Sequence, residues 1–555
     1  MRVHDVLIVG AGLAGMRAAI EVPPDLDVAV ITKVHPVRSH SVAAEGGINA
    51  AIRDDDSWEA HAFDTIKGGD YLGDQDAIET MCQEGPKEVI ELDRMGALFS
   101  RDERGRIAQR PFGGADFPRT CYAADKTGHA LVHLLYEQLL KRKAFVYEEW
   151  YVTSLIVEED VCKGVIAWDL IAGGLQQIRA KAVILATGGY GRVYSISTNA
   201  LINTGDGMSM AYRAGVSLMD MEFVQFHPTT LKETGILLSE AARGEGGYLL
   251  NSKGERFMSR YAPKMMELAS RDVVSRAEYQ EIQEGRGVDG CVLLDIRHLG
   301  RAKILERLPQ IRELSVTFAA VDPINDPVPI RPGVHYSMGG IRTNEWGETS
   351  LEGLYAAGEC ACVSIHGANR LGGNALLETI VFGKRSGLKA SERARSIGSL
   401  DVSLKPIKAE EKWIRDLLAR PKGERVAAVR EELGRIMSED VGISRKKEWT
   451  ERARDRVREI KERYKKVYVQ DKGRVFNSEL ISCIELGSII ELAEVIVESA
   501  LAREESRGAH FRLDYPHRDD ARWLKHTLAY NGETGPRLDY TDVRISKYPP
   551  TERKY

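Results

Sequence analysis

The chain has little of what would mark a metalloprotein, a membrane protein or a nucleic-acid binder. Only seven of its 555 residues are cysteine, at positions 82, 121, 162, 291, 360, 362 and 483. The one close pair, Cys360 and Cys362, has a single residue between its members. No CxxC run therefore offers thiolates to zinc or to an iron–sulfur cluster, and no metal site is expected. Scattered thiols suit structural roles in a reducing, cytosolic setting. Neither sign of charge dominates: 77 Lys and Arg stand against 82 Asp and Glu, a formal charge of −5. Phosphate neutralisation would want a basic excess, so no nucleic-acid partner is expected, while a local basic pocket for a small dianion stays compatible. Long apolar runs are also missing. The most apolar late stretch, residues 481–501, is broken by Glu485, Glu491, Glu494 and Glu498, which excludes a direct membrane span. The apolar start is interrupted by glycines and reads as a strand, not as a signal peptide. Repeats and low-complexity tracts are absent.

What is present is a βαβ opening. Residues 6–9 form a short apolar strand, Gly10, Gly12 and Gly15 follow, residues 16–21 are helical, and residues 28–32 make a second strand. Glycines at this spacing let the backbone approach a pyrophosphate at a helix N-terminus. The acid that usually ends the second strand is missing, since the sequence there is Ile31-Thr32-Lys33. Apolar strands at 182–186 and 353–357 run into Thr187-Gly188-Gly189 and Gly358-Glu359, turns of the kind that line a ligand crevice. The expected fold class is α/β. A Rossmann-like nucleotide-binding domain (1–221 and 336–403) would be interrupted by an α+β capping domain (222–335), which two strands connect back to it. Val426, Val429, Leu433 and Ile436 recur at helical spacing, and residues 451–466 are a charged helical stretch. These predict a helical domain of about three helices over 404–505. The remaining segment, 506–555, is expected to be an extended tail on the surface.

The loop after the second strand reads RSHSVAAEGGINA (38–50). It resembles the flavin-attachment loop of the flavoprotein subunits of succinate dehydrogenase and fumarate reductase. The resemblance covers essentially the whole chain, through RPFGGADFPRTCYAADKTGH (110–129), MEFVQFHPT (221–229), SRDVVSR (270–276), HYSMGGI (335–341), GECACVSIHGANRLGGNALLET (358–379) and ESRGAHFRLDYPHRDD (505–520). It implies FAD as cofactor, bonded through its 8α-methyl carbon to His40, which would make the flavin a stronger oxidant. Gly10, Gly12, Gly15, Lys33, Ser41, Gly46, Gly47, Asp206, Glu359 and Leu376 would complete the cofactor site. For a C4 dicarboxylate, His227, Leu237, Ser239, Glu240, His335 and Arg370 would form the substrate site. Arg271 would exchange a proton with the substrate, and Glu240 and Arg243 would relay it. Physical chemistry agrees, because two carboxylates about 5–6 Å apart need donors on opposite walls.

Two positions depart from the family's commoner residues: Ser239 stands where threonine is usual, and Ala375 where many relatives have serine. Glu45 resembles fumarate reductases more than many succinate dehydrogenases, which often have glutamine there. The implied activity is interconversion of succinate and fumarate by hydride transfer, in either direction. Electrons would pass to a separate iron–sulfur subunit and then to quinone through a membrane anchor, placing the chain on the cytoplasmic face of the cell membrane. Alternatives are an L-aspartate oxidase, which lacks the attachment histidine, a thiol-linked fumarate reductase, and an assembly subunit with degenerate chemistry.

Overall fold

The computed structural model describes residues 2–398, 400 and 402–553. Its first layer is a mixed sheet. Strand β1 (Arg2–Val9) leads through helix α1 (Leu13–Glu21) into β2 (Val28–Thr32). The helix begins three residues earlier than the sequence suggests, because Gly12 already caps it and Gly15 lies inside it. Strands β3 (Phe145–Glu148), β4 (Trp150–Glu158), β5 (Val161–Asp169) and β6 (Gly174–Leu185) complete the path β3-β2-β1-β6-β5-β4. The β3-β2-β1-β6 part is parallel, and the β5 and β4 edge is antiparallel. Val6, Leu7 and Ile8 of β1 are fully buried because both faces of this parallel region are covered.

Residues 224–337 carry a second sheet with its own apolar cluster. Its strands are β7 (Val224–Leu231), β8 (Tyr248–Leu250), β9 (Val292–Asp295) and β10 (Val328–Ser337), in the order β7-β10-β9-β8. The strands entering and leaving this unit, β7 and β10, are antiparallel neighbours, with Val224 opposite Ser337. Helix α2 (Arg271–Gln283) packs against β7. The chain then returns through β11 (Leu354–Ala356), parallel to β6, and the long helix α3 (Asn374–Ser396), which packs against α1.

Beyond it lie four helices where the sequence suggests three: α4 (Lys405–Ala419), α5 (Val426–Asp440), α6 (Lys447–Tyr464) and α7 (Ser478–Ala502). The glutamates that interrupt the apolar run of α7 are all paired. Glu485 meets Lys33 at 2.8 Å, Glu491 meets Arg213 at 2.8 Å, Glu494 meets Lys461 at 2.6 Å and Glu498 meets Arg458 at 2.8 Å. Among the described residues no helix is long and apolar enough to cross a membrane.

The expected surface tail is only partly that. Residues Lys525–Tyr530 and Arg537–Asp542 form a hairpin whose first strand pairs with Leu218–Met219, inside a five-stranded sheet. Buried polar pairing recruits it. His526 is held 2.7 Å from Asp220 and 3.3 Å from Asp74, which push its pKa up to about 9 against the opposing effect of burial. Arg503, wholly buried, joins Glu222 at 2.6 Å and Glu505 at 2.9 Å, and also donates to the carbonyls of Trp523 and Lys525. Arg503→Met is expected to cost about 3–5 kcal/mol, because two carboxylates lose a buried counter-charge. A thermal melt checks this, and an unchanged midpoint contradicts it.

Candidate active site

The carboxyl ends of β1, β2 and β6 and the N-termini of α1 and α3 open onto one large cavity. It holds about 220 Å³ of water-accessible space, where a single water needs about 10–15 Å³. At its nucleotide end the backbone turns tightly. Gly10 has φ +112, and a Cβ there would lie 2.2 Å from Ala186 O. A Cβ on Gly15 would lie 1.9 Å from Gly10 O, so this residue permits helix α1 to sit against the strand. Gly12 and Gly10 line the cavity, and Gly15 lies just behind them.

Several buried polar atoms on the wall lack a partner among the described residues: Ser39 Oγ, Thr187 Oγ1, Asp206 Oδ1 and Arg370 Nε. Buried groups of this type are normally hydrogen-bonded, so the wall is built for a polar ligand. Apolar lining from Ala11, Leu13, Val152 and Leu376 suits a ring system between the polar ends. A dinucleotide such as FAD fits both characters. Lys33 stands 2.8 Å from both Asp206 and Glu485 and 3.1 Å from Thr204 Oγ1. Glu359 accepts from Ser337 N at 3.0 Å, and burial pushes its pKa up to about 7.

His40 also lines the cavity, in a short 3-10 turn. Its Nδ1 accepts from Ala200 N at 3.2 Å, and Asn199 Nδ2 lies 3.4 Å from Nε2. Burial, helped by Arg192, pushes its pKa down to about 4, so the imidazole is neutral at pH 7. Glu45 is buried nearby and accepts from Gln310 Nε2 at 3.1 Å. Burial, reinforced by Asp125, holds its pKa well above the usual carboxylate range.

The other end is a cage of arginines and histidines. His227 projects from β7 and His335 from β10, with ring centroids 4.8 Å apart. His227 Nδ1 accepts from Thr229 N at 3.2 Å, which leaves Nε2–H to donate; His335 Nδ1 meets Thr198 Oγ1 at 2.8 Å. Burial and then Arg271 drive both pKa values well below the usual, so both rings are neutral. Positive charge is therefore left to the guanidiniums. Arg370 stacks on the Tyr336 ring at 4.2 Å, and burial next to Arg271 lowers its pKa to about 9.

Arg271 opens α2 and donates from Nε to Glu240 Oε2 at 2.7 Å and from Nη1 to Gln225 Oε1 at 3.0 Å. Glu240 Oε1 accepts from Gly113 N at 2.7 Å. Although burial would raise its pKa, Arg271 and Arg243 hold Glu240 below the normal range, so it is a carboxylate. Arg243 does not line the cavity; it sits behind Glu240, with Nη2 3.7 Å from Oε1.

The remaining residues singled out in the sequence (Ser41, Gly46, Gly47, Leu237, Ser239 and Leu376) line the same cavity, as does Ala375. Ser239 Oγ accepts from Ala241 N at 3.2 Å, leaving its hydroxyl proton free to donate. Thr198, Asn199, Gln225 and Tyr336 are site residues that sequence reasoning misses. Gln225 and Tyr336 stand inside the family-like motifs, and only their contacts with Arg271 and Arg370 distinguish them.

A Rossmann-like sheet, a glycine turn and a polar-ended cavity define a nucleotide-binding flavoprotein, and residues 5–376 match the family model described as FAD binding domain. Residues 430–555 match a second model, Fumarate reductase flavoprotein C-term. The succinate dehydrogenase flavoprotein subunit of Rickettsia conorii is 47% identical over 585 residues, covering 99% of this chain and 98% of its own. The fumarate reductase flavoprotein subunit of Mycobacterium tuberculosis is 46% identical, covering 100% and 99%. Among solved structures, a mutant FrdA chain of E. coli quinol fumarate reductase superposes with a TM-score of 0.96 at 44% identity, covering 100% of this chain and 99% of that one. Sdh1 of Mycobacterium smegmatis gives 0.86 at 37% identity, covering 99% and 95%. The chain belongs to the family of succinate dehydrogenase and fumarate reductase flavoprotein subunits.

Proposed function

We propose that this FAD-dependent oxidoreductase interconverts succinate and fumarate, and that the residues of the cage bind the diacid and move its proton. The observation that carries the reading is the pairing of Arg271 and Arg370 with two neutral histidine donors around one cavity. Two cations and two N–H donors match a dianion with a carboxylate at each end. His227 and Ser239 would bind one carboxylate, and His335 and Arg370 the other. Leu237 would pack beside the substrate. Bound FAD supplies the hydride acceptor and donor at N5.

Arg271 would give a proton to the second central carbon of fumarate, or take one from succinate. A guanidinium rests protonated, so the role requires a partner that restores the proton at once. Glu240, 2.7 Å from both Nε and Nη2, is placed for that, and Arg243 stands behind it. Arg271, Glu240 and Arg243 are all buried, away from the protein surface.

His40 would hold the cofactor covalently, Nε2 to the flavin 8α carbon. An imidazole substituted at Nε2 keeps a lone pair only on Nδ1, and that is the atom to which Ala200 N donates. Gly12 and the free amides opening α1 would face the pyrophosphate. Asp206, Lys33 and Glu359 would meet the ribityl and ribose hydroxyls.

Electrons need a way out. Among the described residues no group of three or more His, Cys, Asp or Glu side chains is placed to hold a metal, and all seven cysteines are buried. We infer that electrons leave to a separate iron–sulfur subunit and then to quinone at a membrane anchor, with the chain peripheral on the cytoplasmic face. The names of its structural neighbours, which include quinol-fumarate reductase with menaquinol, support the quinone end of this route.

Dye-linked turnover of succinate and fumarate, with malonate as inhibitor, tests the reading; a chain indifferent to all three diacids refutes it. Within that assay, Arg370→Ala is expected to weaken malonate inhibition by at least about 30-fold. Truncating one partner of a buried charged contact costs about 2–5 kcal/mol. An inhibition constant within threefold of wild type would remove Arg370 from the clamp.

A further inference from the structure

Arg271 is the first residue of α2, so its place in the cage depends on how that first turn is held. Ser270, at the N-cap, makes no side-chain bond to the helix, and the usual device for fixing a helix start is therefore missing. Asp272 takes over. It is buried like Arg271 but turned elsewhere, since consecutive side chains on a helix point about 100° apart. Arg553 Nη2 donates to Asp272 Oδ2 at 2.7 Å, and Arg276 Nη2 donates to the same oxygen at 2.9 Å.

Arg553 comes from outside the unit that carries α2. Residues 546–553 lie along the flavin-binding unit. Gln75 Oε1 accepts from Lys547 N and Tyr548 N at 2.9 Å each, its Nε2 donates to Tyr548 O at 2.6 Å, and the hydroxyls of Tyr71 and Thr551 are 2.6 Å apart. From this anchorage the Arg553 guanidinium donates from Nη1 to Gly68 O at 3.2 Å, and its Nε lies 3.3 Å from Asp70 Oδ1. Its third nitrogen is the one that crosses to Asp272, so a single planar fork spans both units. The Arg553 side chain is 10% exposed and that of Asp272 0%, which leaves little solvent to screen the pair. Although burial would raise its pKa, Arg553 and then Arg276 hold the Asp272 carboxyl far below the usual range.

We infer that Arg553 is a positioning residue for Arg271: it staples the first turn of α2 to the flavin-binding unit and so fixes where the Arg271 guanidinium stands in the cage. The inference rests on the reading of Arg271 as the group that reaches the diacid. Arg553 itself does not line the cavity. Its contribution is geometry more than charge balance, because Asp272 keeps Arg276 at 2.9 Å and Asp70 keeps Arg518 at 2.8 Å when Arg553 is removed. No carboxylate of the cluster is then left without a counter-charge, so the fold tolerates the loss. The rate does not, since a misplacement of about 1 Å at a reacting group can cost about 10²-fold.

The test compares Arg553→Ala, Arg553→Lys and Arg271→Lys, singly and as the Arg553→Ala/Arg271→Lys pair, in the full-length, flavin-loaded enzyme. Arg553→Ala is expected to lower kcat about tenfold, with flavin content unchanged and the malonate inhibition constant within threefold of wild type. Lysine, which keeps the charge but not the three-way reach, should recover part of the rate. Added to Arg271→Lys, Arg553→Ala should cost nothing further, whereas independent effects multiply. Wild-type kcat in Arg553→Ala overturns the staple. So do losses that multiply in the pair, or a malonate constant that rises as far as kcat falls, because His227 and Ser239 ride on the same unit and a general loosening would move them too. Arg271→Lys at wild-type turnover would instead sink the reading underneath and the proposal with it, while a slow Arg271→Lys beside an unimpaired Arg553→Ala removes the staple alone. Should Arg553→Ala fail to load flavin, Arg553→Lys decides: its kcat must fall without multiplying in the Arg271→Lys background, and wild-type kcat there overturns the proposal.

Discussion

An Arg271→Lys protein is expected to bind malonate within a few-fold of wild type and to turn over about 10²–10⁴ times more slowly, the range that a positioned acid or base contributes. Lysine keeps the charge that attracts a dianion. It loses the planar fork whose Nε and Nη2 both lie 2.7 Å from Glu240 Oε2 while Nη1 reaches Gln225 at 3.0 Å. One ammonium cannot face substrate and hold both partners at those positions. Stopped-flow reoxidation of the reduced enzyme by fumarate separates the effects, since binding is read from malonate and chemistry from the rate. Wild-type turnover would leave Arg271 a carboxylate clamp and nothing more.

His40→Ser is expected to have the second largest effect, and an unequal one. The yellow colour should leave the polypeptide on acid precipitation, whereas it stays with wild type. Succinate oxidation should fall by more than tenfold, and fumarate reduction should fall less. The asymmetry follows from potential: succinate is a poor hydride donor, and each loss of about 30 mV in a two-electron couple is tenfold in equilibrium. Mass spectrometry of the tryptic peptide around residue 40 reads the linkage directly. An unmodified peptide in wild type would end the covalent proposal while leaving FAD binding intact.

The parts legible in the sequence are those where local chemistry and position coincide. Gly10 must adopt a positive φ against Ala186 whatever else the chain does, and the glycine pattern shows it. The cage is legible because His227, Arg271, His335 and Arg370 each sit in a distinctive run. Thr198 and Asn199 are not. They matter through His335 and His40, partners 137 and 159 residues away, and nothing in their own neighbourhood announces it. Helix α4 goes unread because only Ile414 and Leu417 on it are buried, too thin a stripe for a period to show. The hairpin at 525–542 reads as tail because four consecutive residues of its first strand, 526–529, are buried, so no in–out alternation marks it. Its pairing is written in Asp74 and Asp220, far upstream.

The two guanidiniums of Arg271 and Arg370, buried in one cage, have a consequence for the whole chain. Before a diacid arrives, Glu240 offsets only one of these two buried like charges. A metabolite that neutralises them acts as a missing piece of the core, and at a hundred times its dissociation constant such a ligand adds about 2.7 kcal/mol to the folded state. The durability of this protein in a cell therefore depends in part on the small acids dissolved around it.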